Sequence, residues 1–288
     1  MRTIISIAID ALAYGMVLFI ISIGLSVMMG LMRVVNLAHG AFAMIGGYIA
    51  SFVAADLGLG YGAAILVAVV ATVMVSLPLE RFLYRRIYGS ADTLLQLLVT
   101  VGLTFVVIGV TNIVFGPTAK TIPLPQAISG SVDIGVRTFP AHRLFVIGCG
   151  LMVVLALWLF IERSAFGVKL RAAVDNGAMT AALGVRTDRV YAVTFALAVG
   201  LGAFGGVVGA EILPIEPYYA LRYMVTFLVV VSVGGAGSIA GALAASLALG
   251  FVDTLGKYLI PSLGEFFFYL AVILIALASG RVVPSRVH

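Results

Sequence analysis

The chain has 288 residues, 62% of them apolar and 10% charged, with a mean hydropathy of +1.21. A water-facing protein carries about 25% charged residues, so a soluble enzyme, a disordered chain and a nucleic-acid-binding domain are excluded, and the solvent is lipid. The net charge of +5 then reflects basic loops that orient a membrane protein, not a nucleic-acid surface.

The apolar runs are about twenty residues long, the length of helices that cross a bilayer rather than of barrel strands. Lipid offers no hydrogen bonds to the backbone, so each run must satisfy its own as a helix. The first is Ala11 to Met32, preceded by Asp10, too long for a signal peptide and followed by no small-residue cleavage site. Arg33 ends it. Asn36 to Ala55 is the second, with Asn36 and His39 near its start, and Tyr61 to Leu79 the third, followed by Arg81, Arg85 and Arg86. Thr93 to Phe115 is the fourth.

Residues 116–142 contain four prolines and read as an ordered or partly ordered external loop. Arg143 to Ile161 is the fifth run, with Trp158 near its end, where interfacial aromatics belong. Residues 162–189 form the longest charged stretch. Within it, KLRAAVDNGAMTAALG predicts a short amphipathic helix that Gly184 terminates. Val190 to Ala210 is the sixth run, and residues 211–222 form a polar hinge. Tyr223 to Val252 is apolar but interrupted by VGGAGS at 233–238, which predicts two shorter helices meeting at a break. Ser262 to Ser279 is the last run, followed by Arg281 and Arg286.

Most of the 17 Lys and Arg fall at Arg33, in the 81–86 cluster, in the 162–189 stretch and in the tail. The positive-inside rule puts these on the cytoplasmic side, with the N-terminus outside and the C-terminus inside. The expected architecture is all-α: one transmembrane domain over residues 1–288, about eight spans, and two glycine-broken or re-entrant helices.

No motif for catalysis or nucleotide binding survives its structural test. GLGAFG at 200–205 fits G-x-G-x-x-G but lies inside an apolar run with no strand before it. The spacing of Gly202 with Gly206 and of Gly205 with Gly209 suits close helix packing instead. There is no GxxxxGK[ST] and no HExxH; His39, His142 and His288 are far apart, and Cys149 stands alone. Neither a metal site nor a disulfide is expected. The acidic residues Asp10, Asp56, Glu80, Asp92, Glu162, Glu211, Asp253 and Glu265 sit at span ends. That counts against an ion-driven carrier, which uses intramembrane carboxylates.

Two glycine-interrupted segments occupy comparable places in the two halves, NLAHGAFAMIGGYIA (36–50) and VGGAGSIAGALAASLALG (233–250). Paired broken helices of this kind point to a translocation path. Asn36, His39 and Ser238 would supply polar atoms there; alternatively, Asn36 and His39 cap a helix at the interface. The 169–184 helix either docks a soluble partner or is a solvated loop.

The ordered set NLAHGAFAMIGGY, LRAAVDNGAMTAALGV followed by TDRVYAVTFALAVGLGAFGGVV, and VGGAGSIAGAL resembles the LivH-type permeases of branched-chain amino acid ABC transporters. The resemblance covers nearly the whole chain. It implies a bacterial inner-membrane subunit that pairs with a second, LivM-like permease. Two ATP-binding subunits would dock on the cytoplasmic side, and a periplasmic substrate-binding protein would deliver substrate. ATP would be used by those partner subunits, no cofactor would be bound by this chain, and the partners include lipid but no nucleic acid. Motif by motif, Asn36, His39 and Gly40 match the first signature, and Gly234, Gly235, Gly237 and Ser238 the last; both sets are implied to line the path. The family's coupling loop matches Arg171 to Gly184, which includes Asp175, Asn176, Ala182 and Leu183, although Asp175-Asn176 before Gly177 departs from the consensus. Related permeases carry urea, amides or small carboxylic acids, and an ATP-independent carrier is the remaining alternative.

Overall fold

The computed structural model describes residues 2–87, 92–133, 138–261 and 264–278. Arg281 and Arg286 lie outside them, as does the end of the last apolar run. The helices are α1 (Arg2–Leu31), α2 (His39–Ser51), α3 (Tyr61–Leu79), α4 (Arg85–Ile87), α5 (Thr93–Phe115), α6 (Gln126–Ser129), α7 (Ala141–Leu157), α8 (Ala165–Asp175), α9 (Gly177–Ala182), α10 (Thr187–Val208), α11 (Tyr219–Gly234), α12 (Ile239–Leu259) and α13 (Gly264–Ala278). Wide π turns extend α2 over Phe52–Asp56, α3 over Glu80–Tyr84 and α7 over Trp158–Glu162. Pro78 lies just before the second of these, where its missing N–H leaves the helix ladder open to such a rearrangement. A small hairpin pairs β1 (Ser131–Asp133) with β2 (Thr138–Pro140), Val132 opposite Phe139.

Six of these helices are long and apolar enough to cross a membrane, and α11 is a shorter apolar helix. The chain is therefore an all-α polytopic membrane protein, close to the expected span count. Cross-contacts define two ends. At one end, Gly237 meets Ser26, Tyr84 meets Asn36, and Arg85 pairs with Asp188. At the other, Ser51 meets Thr121, Lys120 bridges to Ile215, and Tyr258 and Arg143 both meet Asp10. Helices α1, α2, α3, α5, α7, α10, α11, α12 and α13 alternate in direction between these ends.

Helix α1 is the axis. Of its most apolar window, 83% is buried inside the protein, against 22% for α3 and 33% for α5 and α7. A helix apolar all round and enclosed by protein belongs at the centre of a bundle. Helices α10, α11 and α12 pack on α1, and α2 and α3 pack on α10. The arrangement is a crossed one: α1 is covered by α7, α10, α11 and α12 from later in the chain, and α10 in turn by α2 and α3.

Small residues make these crossings close. A Cβ on Gly250 would meet the Gly15 backbone at 2.7 Å, and one on Gly46 would meet the Ala203 backbone at 2.6 Å. Gly206 lies against the backbone of Ala43, and Gly205 against Ile20 and Ile21. The GLGAFGG glycines are thus interior contact points of α10, as the small-residue spacing predicts. Val17, Leu18, Phe19, Ile20 and Ile21, all fully buried, fill the space between the crossings.

Two expectations are corrected. The first helix begins at Arg2, nine residues before Ala11. Asp10 does not end it, because the charge is met by Arg143 and by the Tyr258 hydroxyl at 2.8 Å. The predicted helix over 169–184 is two helices, α8 and α9, which turn at Asn176. The backbone there is extended (φ −146°, ψ 89°), and Oδ1 accepts the Met179 N–H at 2.9 Å, so Asn176 starts a new helix instead of continuing the old one. Gly184 follows α9 at φ +85°, the left-handed conformation a terminating glycine supplies.

Candidate functional site

The first glycine-associated segment turns between α1 and α2 at residues 32–38. Its Asn36 is completely buried. The Asn36 Oδ1 accepts from the Ala38 N–H at 3.1 Å and from the Tyr84 hydroxyl at 2.7 Å, and Nδ2 donates to Met28 Sδ at 3.3 Å. This is an Asx turn leading into α2, whose own N-cap, Ala38, has no side-chain cap. Two neighbouring backbone donors are met by α5: Val35 N–H by Gln96 Oε1 at 3.0 Å, and Leu37 N–H by Thr100 Oγ1 at 3.2 Å. Sequence reasoning missed Tyr84, Gln96 and Thr100. A glutamine and a threonine four residues apart on an apolar helix share one face, and that was the available signal.

His39 is buried where α1, α2 and α10 cross. Its Nε2 donates to the Ile21 carbonyl at 2.8 Å, while Nδ1 has no partner. The ring occupies space that Gly24 and Gly202 leave open, since a Cβ on Gly24 would lie 2.7 Å from it and one on Gly202 3.2 Å. Gly40 is buried against Ala220 and Phe227 of α11.

The second segment, 235–238, joins α11 to α12. Gly235 (φ +87°) and Gly237 (φ +84°) adopt the left-handed conformation that side chains disfavour. The Gly237 N–H donates to both the carbonyl and the hydroxyl of Ser26, each at 3.0 Å. Its backbone also lies directly against Gly30. Gly234 and Gly241 press backbone to backbone across the break, and Ser238 caps α12 by accepting the Gly241 N–H at 3.0 Å. Asn36, His39 and Gly40 are therefore not in contact with 234–238. Both groups lie along α1, His39 at Ile21 and Gly24, Gly237 at Ser26 and Gly30.

Helices α8 and α9 form a knob at the same end. Leu170, Ala173 and Val190 bury its base. Arg171 donates to the Ile161 carbonyl at 3.0 Å, and the Tyr191 hydroxyl to the Ala173 carbonyl at 2.9 Å. Asp175, Asn176, Ala182, Leu183 and Gly184 are exposed. Met179 and Leu183 are the large apolar residues on the outer face, 62% and 79% exposed.

The opposite end holds a charged cluster. Arg143 pairs with Asp10, and Lys257 with Asp253 at 2.6 Å, around a cavity of about 450 Å³. Sequence reading placed these carboxylates at span ends but missed that they converge. The Asp253–Lys257 spacing of four, one helical turn, was the signal.

A profile described as "Branched-chain amino acid transport system / permease component" matches residues 7–277. The high-affinity branched-chain amino acid transport system permease protein LivH of Escherichia coli K12 is 27% identical over 265 residues, covering 86% of this chain and 84% of that protein. BraD of Pseudomonas aeruginosa, described in the same words, is 27% identical over 226 residues, 73% of this chain and 72% of its own. Among solved structures, PsaBC from Streptococcus pneumoniae in complex with Fab has the same fold, with a TM-score of 0.53 at 13% identity over 96% of this chain and 91% of that one. With the crossed glycine-packed bundle and a match across almost its full length, this chain belongs to the branched-chain amino acid transport system permease family.

Proposed function

We propose that this chain is the permease subunit of a binding-protein-dependent ABC importer in the bacterial inner membrane. It would carry branched-chain or other hydrophobic amino acids by alternating access. The observation that supports this most directly is the α8–α9 knob, whose base is fixed by buried residues and hydrogen bonds while Met179 and Leu183 stand exposed at its tip. Exposed apolar residues on a rigid, charged support suit insertion into a groove of a soluble partner. The partner is an ATP-binding subunit, one of two, and ATP is used there and not by this chain. A LivM-like second permease completes the membrane core, and a periplasmic protein delivers substrate to the far side.

In this reading 162–189 is the cytoplasmic coupling loop, 116–142 is external and the C-terminus is cytoplasmic. Closure of the ATPase dimer pushes on α9, and the knob passes the push to α10 through Val190 and Tyr191. Arg85, which bonds Glu80 at 3.3 Å and Asp188 at 3.3 Å, links the inner ends of α3 and α10. Rearrangement around 32–40 and 234–238 then opens a path lined by Asn36, His39, Gly40, Gly234, Gly235, Gly237 and Ser238.

The test is a pull-down from native membranes, followed by uptake measurements in a Leu183→Asp variant. Leu183 has little to lose by way of packing, so the variant should fold normally. Recovery of a P-loop ATPase with the wild-type chain, and at least about tenfold loss of uptake in the variant with ATP hydrolysis retained, is the expected result. Recovery of the chain alone, transporting in liposomes without ATP, would overturn the proposal.

A further inference from the structure

The charged cavity at the end opposite the knob has a composition that charge pairing alone does not explain. Its walls come from α1, α7, α12 and residues 124–129 and 211–212. Asp10 is neutralised by Arg143, and Asp253 by Lys257. Glu211 adds a third carboxylate to the lining, with no ion pair among the described residues. His142 is only 5% exposed, faces the same cavity, and leaves Nε2 without a hydrogen-bond partner. Its ring hydrogen-bonds the Val208 backbone, so the other nitrogen, Nδ1, is the donor and the neutral ring presents Nε2 as an acceptor.

A buried acceptor without a donor is costly to leave unmet. The Glu211 carboxylate lies within electrostatic range of the same ring, so this part of the lining suits a group that is positively charged and carries N–H donors. Lys257, in the same lining, has further N–H donors beyond the one given to Asp253, and its side chain is half exposed at 51%. Arg143 is part-exposed as well. A lining that holds both cationic donors and unmet acceptors suits a molecule that carries both charges. Leu124, Ile128 and Ile212 complete the lining with aliphatic surface. The volume of about 450 Å³ falls within the ~300–1,000 Å³ typical of small-molecule sites.

We infer that this cavity is a receiving site, within this single chain, for a free α-amino acid with an aliphatic side chain. The ammonium donates to Glu211 and to His142 Nε2. The carboxylate accepts from Lys257 and Arg143, and the side chain lies on Leu124, Ile128 and Ile212. The inference deepens the importer reading and rests on it for the direction of traffic: the site receives substrate at the outer end before the path opens. Phosphatidylethanolamine presents the same ammonium-and-anion chemistry, and the experiment separates the two sources.

The full-length chain, with the subunits that copurify, is placed in phosphatidylcholine nanodiscs without binding protein. Saturation binding of radiolabelled L-leucine is measured. Competition follows with 4-methylpentanoate, which lacks the ammonium, 3-methylbutylamine, which lacks the carboxylate, and phosphoethanolamine. L-leucine binds saturably, and each half-molecule competes at least about tenfold more weakly. Glu211→Gln, at an exposed position, lowers leucine affinity about tenfold or more. Ile128→Trp, which fills the cavity from a half-buried position, abolishes binding. Absence of saturable leucine binding would overturn the inference, as would wild-type affinity in both variants. Phosphoethanolamine binding where leucine does not compete would assign the cavity to a lipid headgroup and overturn it too. ATP-driven uptake at wild-type KM in both variants would also overturn the receiving site, yet leave the importer reading standing. Leucine bound with the expected selectivity by a chain that recovers no ATPase would do the reverse.

Discussion

The two breaks in the helical bundle, 32–38 and 235–238, do the same architectural work by different chemistry. Each turns the chain at the same end of the molecule, beside the last turns of α1. At 32–38 the freed backbone donors are met by side chains: Asn36, Gln96 and Thr100, with Tyr84 holding Asn36 in place. At 235–238 they are met by the backbone and hydroxyl of Ser26, and the turn depends on glycines with no side chain at all. A break closed by side chains is specified by polar residues spread over the turn itself and two helices, α3 and α5. A break closed by glycine is specified by the absence of atoms, and it reads in the sequence as a local cluster.

This difference predicts different sensitivities. The largest effect belongs to the glycine break. Gly30→Val places branched carbon where the Gly237 backbone lies, and backbone has no rotamer with which to yield. The destabilisation should reach the upper end of the ~1–3 kcal/mol usual for overpacking, or pass it. Loss of a monodisperse peak in detergent chromatography, or a sharply lowered melting temperature, reports it. A wild-type melting curve for Gly30→Val would mean the two segments are not in contact.

The side-chain break should fail more gradually. Asn36→Leu leaves the Ala38 N–H and the Tyr84 hydroxyl without their acceptor, at about 1–3 kcal/mol per buried unmet group. Adding Tyr84→Phe removes one of these orphans. The double variant should therefore lose less than the two single changes together, a coupling that a thermal-denaturation cycle measures. Strict additivity would show that the 2.7 Å bond does not form.

The smallest effect is at Ser238, which only caps α12 from a part-exposed turn. Ser238→Ala should cost about 1 kcal/mol, and Ser238→Asp, which restores an acceptor, should recover most of it in the same melting experiment.

The breaks also show where sequence reading succeeds. The VGGAGS interruption, the packing role of Gly202, Gly205 and Gly206, and the termination at Gly184 were legible, because each depends on a residue type with one dominant physical use. Chain-wide hydropathy was equally direct, since the choice of solvent acts on every residue at once. What was not legible depends on residues far apart in the chain. Asp10 reads as a helix boundary until Arg143 and Tyr258 are known to stand beside it. Tyr84 and Gln96 have no visible connection to Asn36, 48 and 61 residues away from their respective partners. Asn176 splits α8 from α9 through its own side chain, a choice that local helix propensity leaves undecided. The charged cavity is the same case at larger scale, assembled from α1, α6, α7, α12 and the segments beside them, which no spacing rule relates.

The glycine contacts also constrain how this molecule can move. Where Gly30 meets Gly237, Gly46 meets Ala203 and Gly206 meets Ala43, the backbones touch with no side chain between them. Sliding one helix along another by a single residue, about 1.5 Å, would bring a Cβ or a larger group into a space sized for a hydrogen atom. Helices α1, α2, α10, α11 and α12 are thus keyed together at several teeth, and shear among them is blocked in either direction. The rearrangement proposed around 32–40 and 234–238 must therefore proceed by tilting or separating these contacts, not by sliding along them.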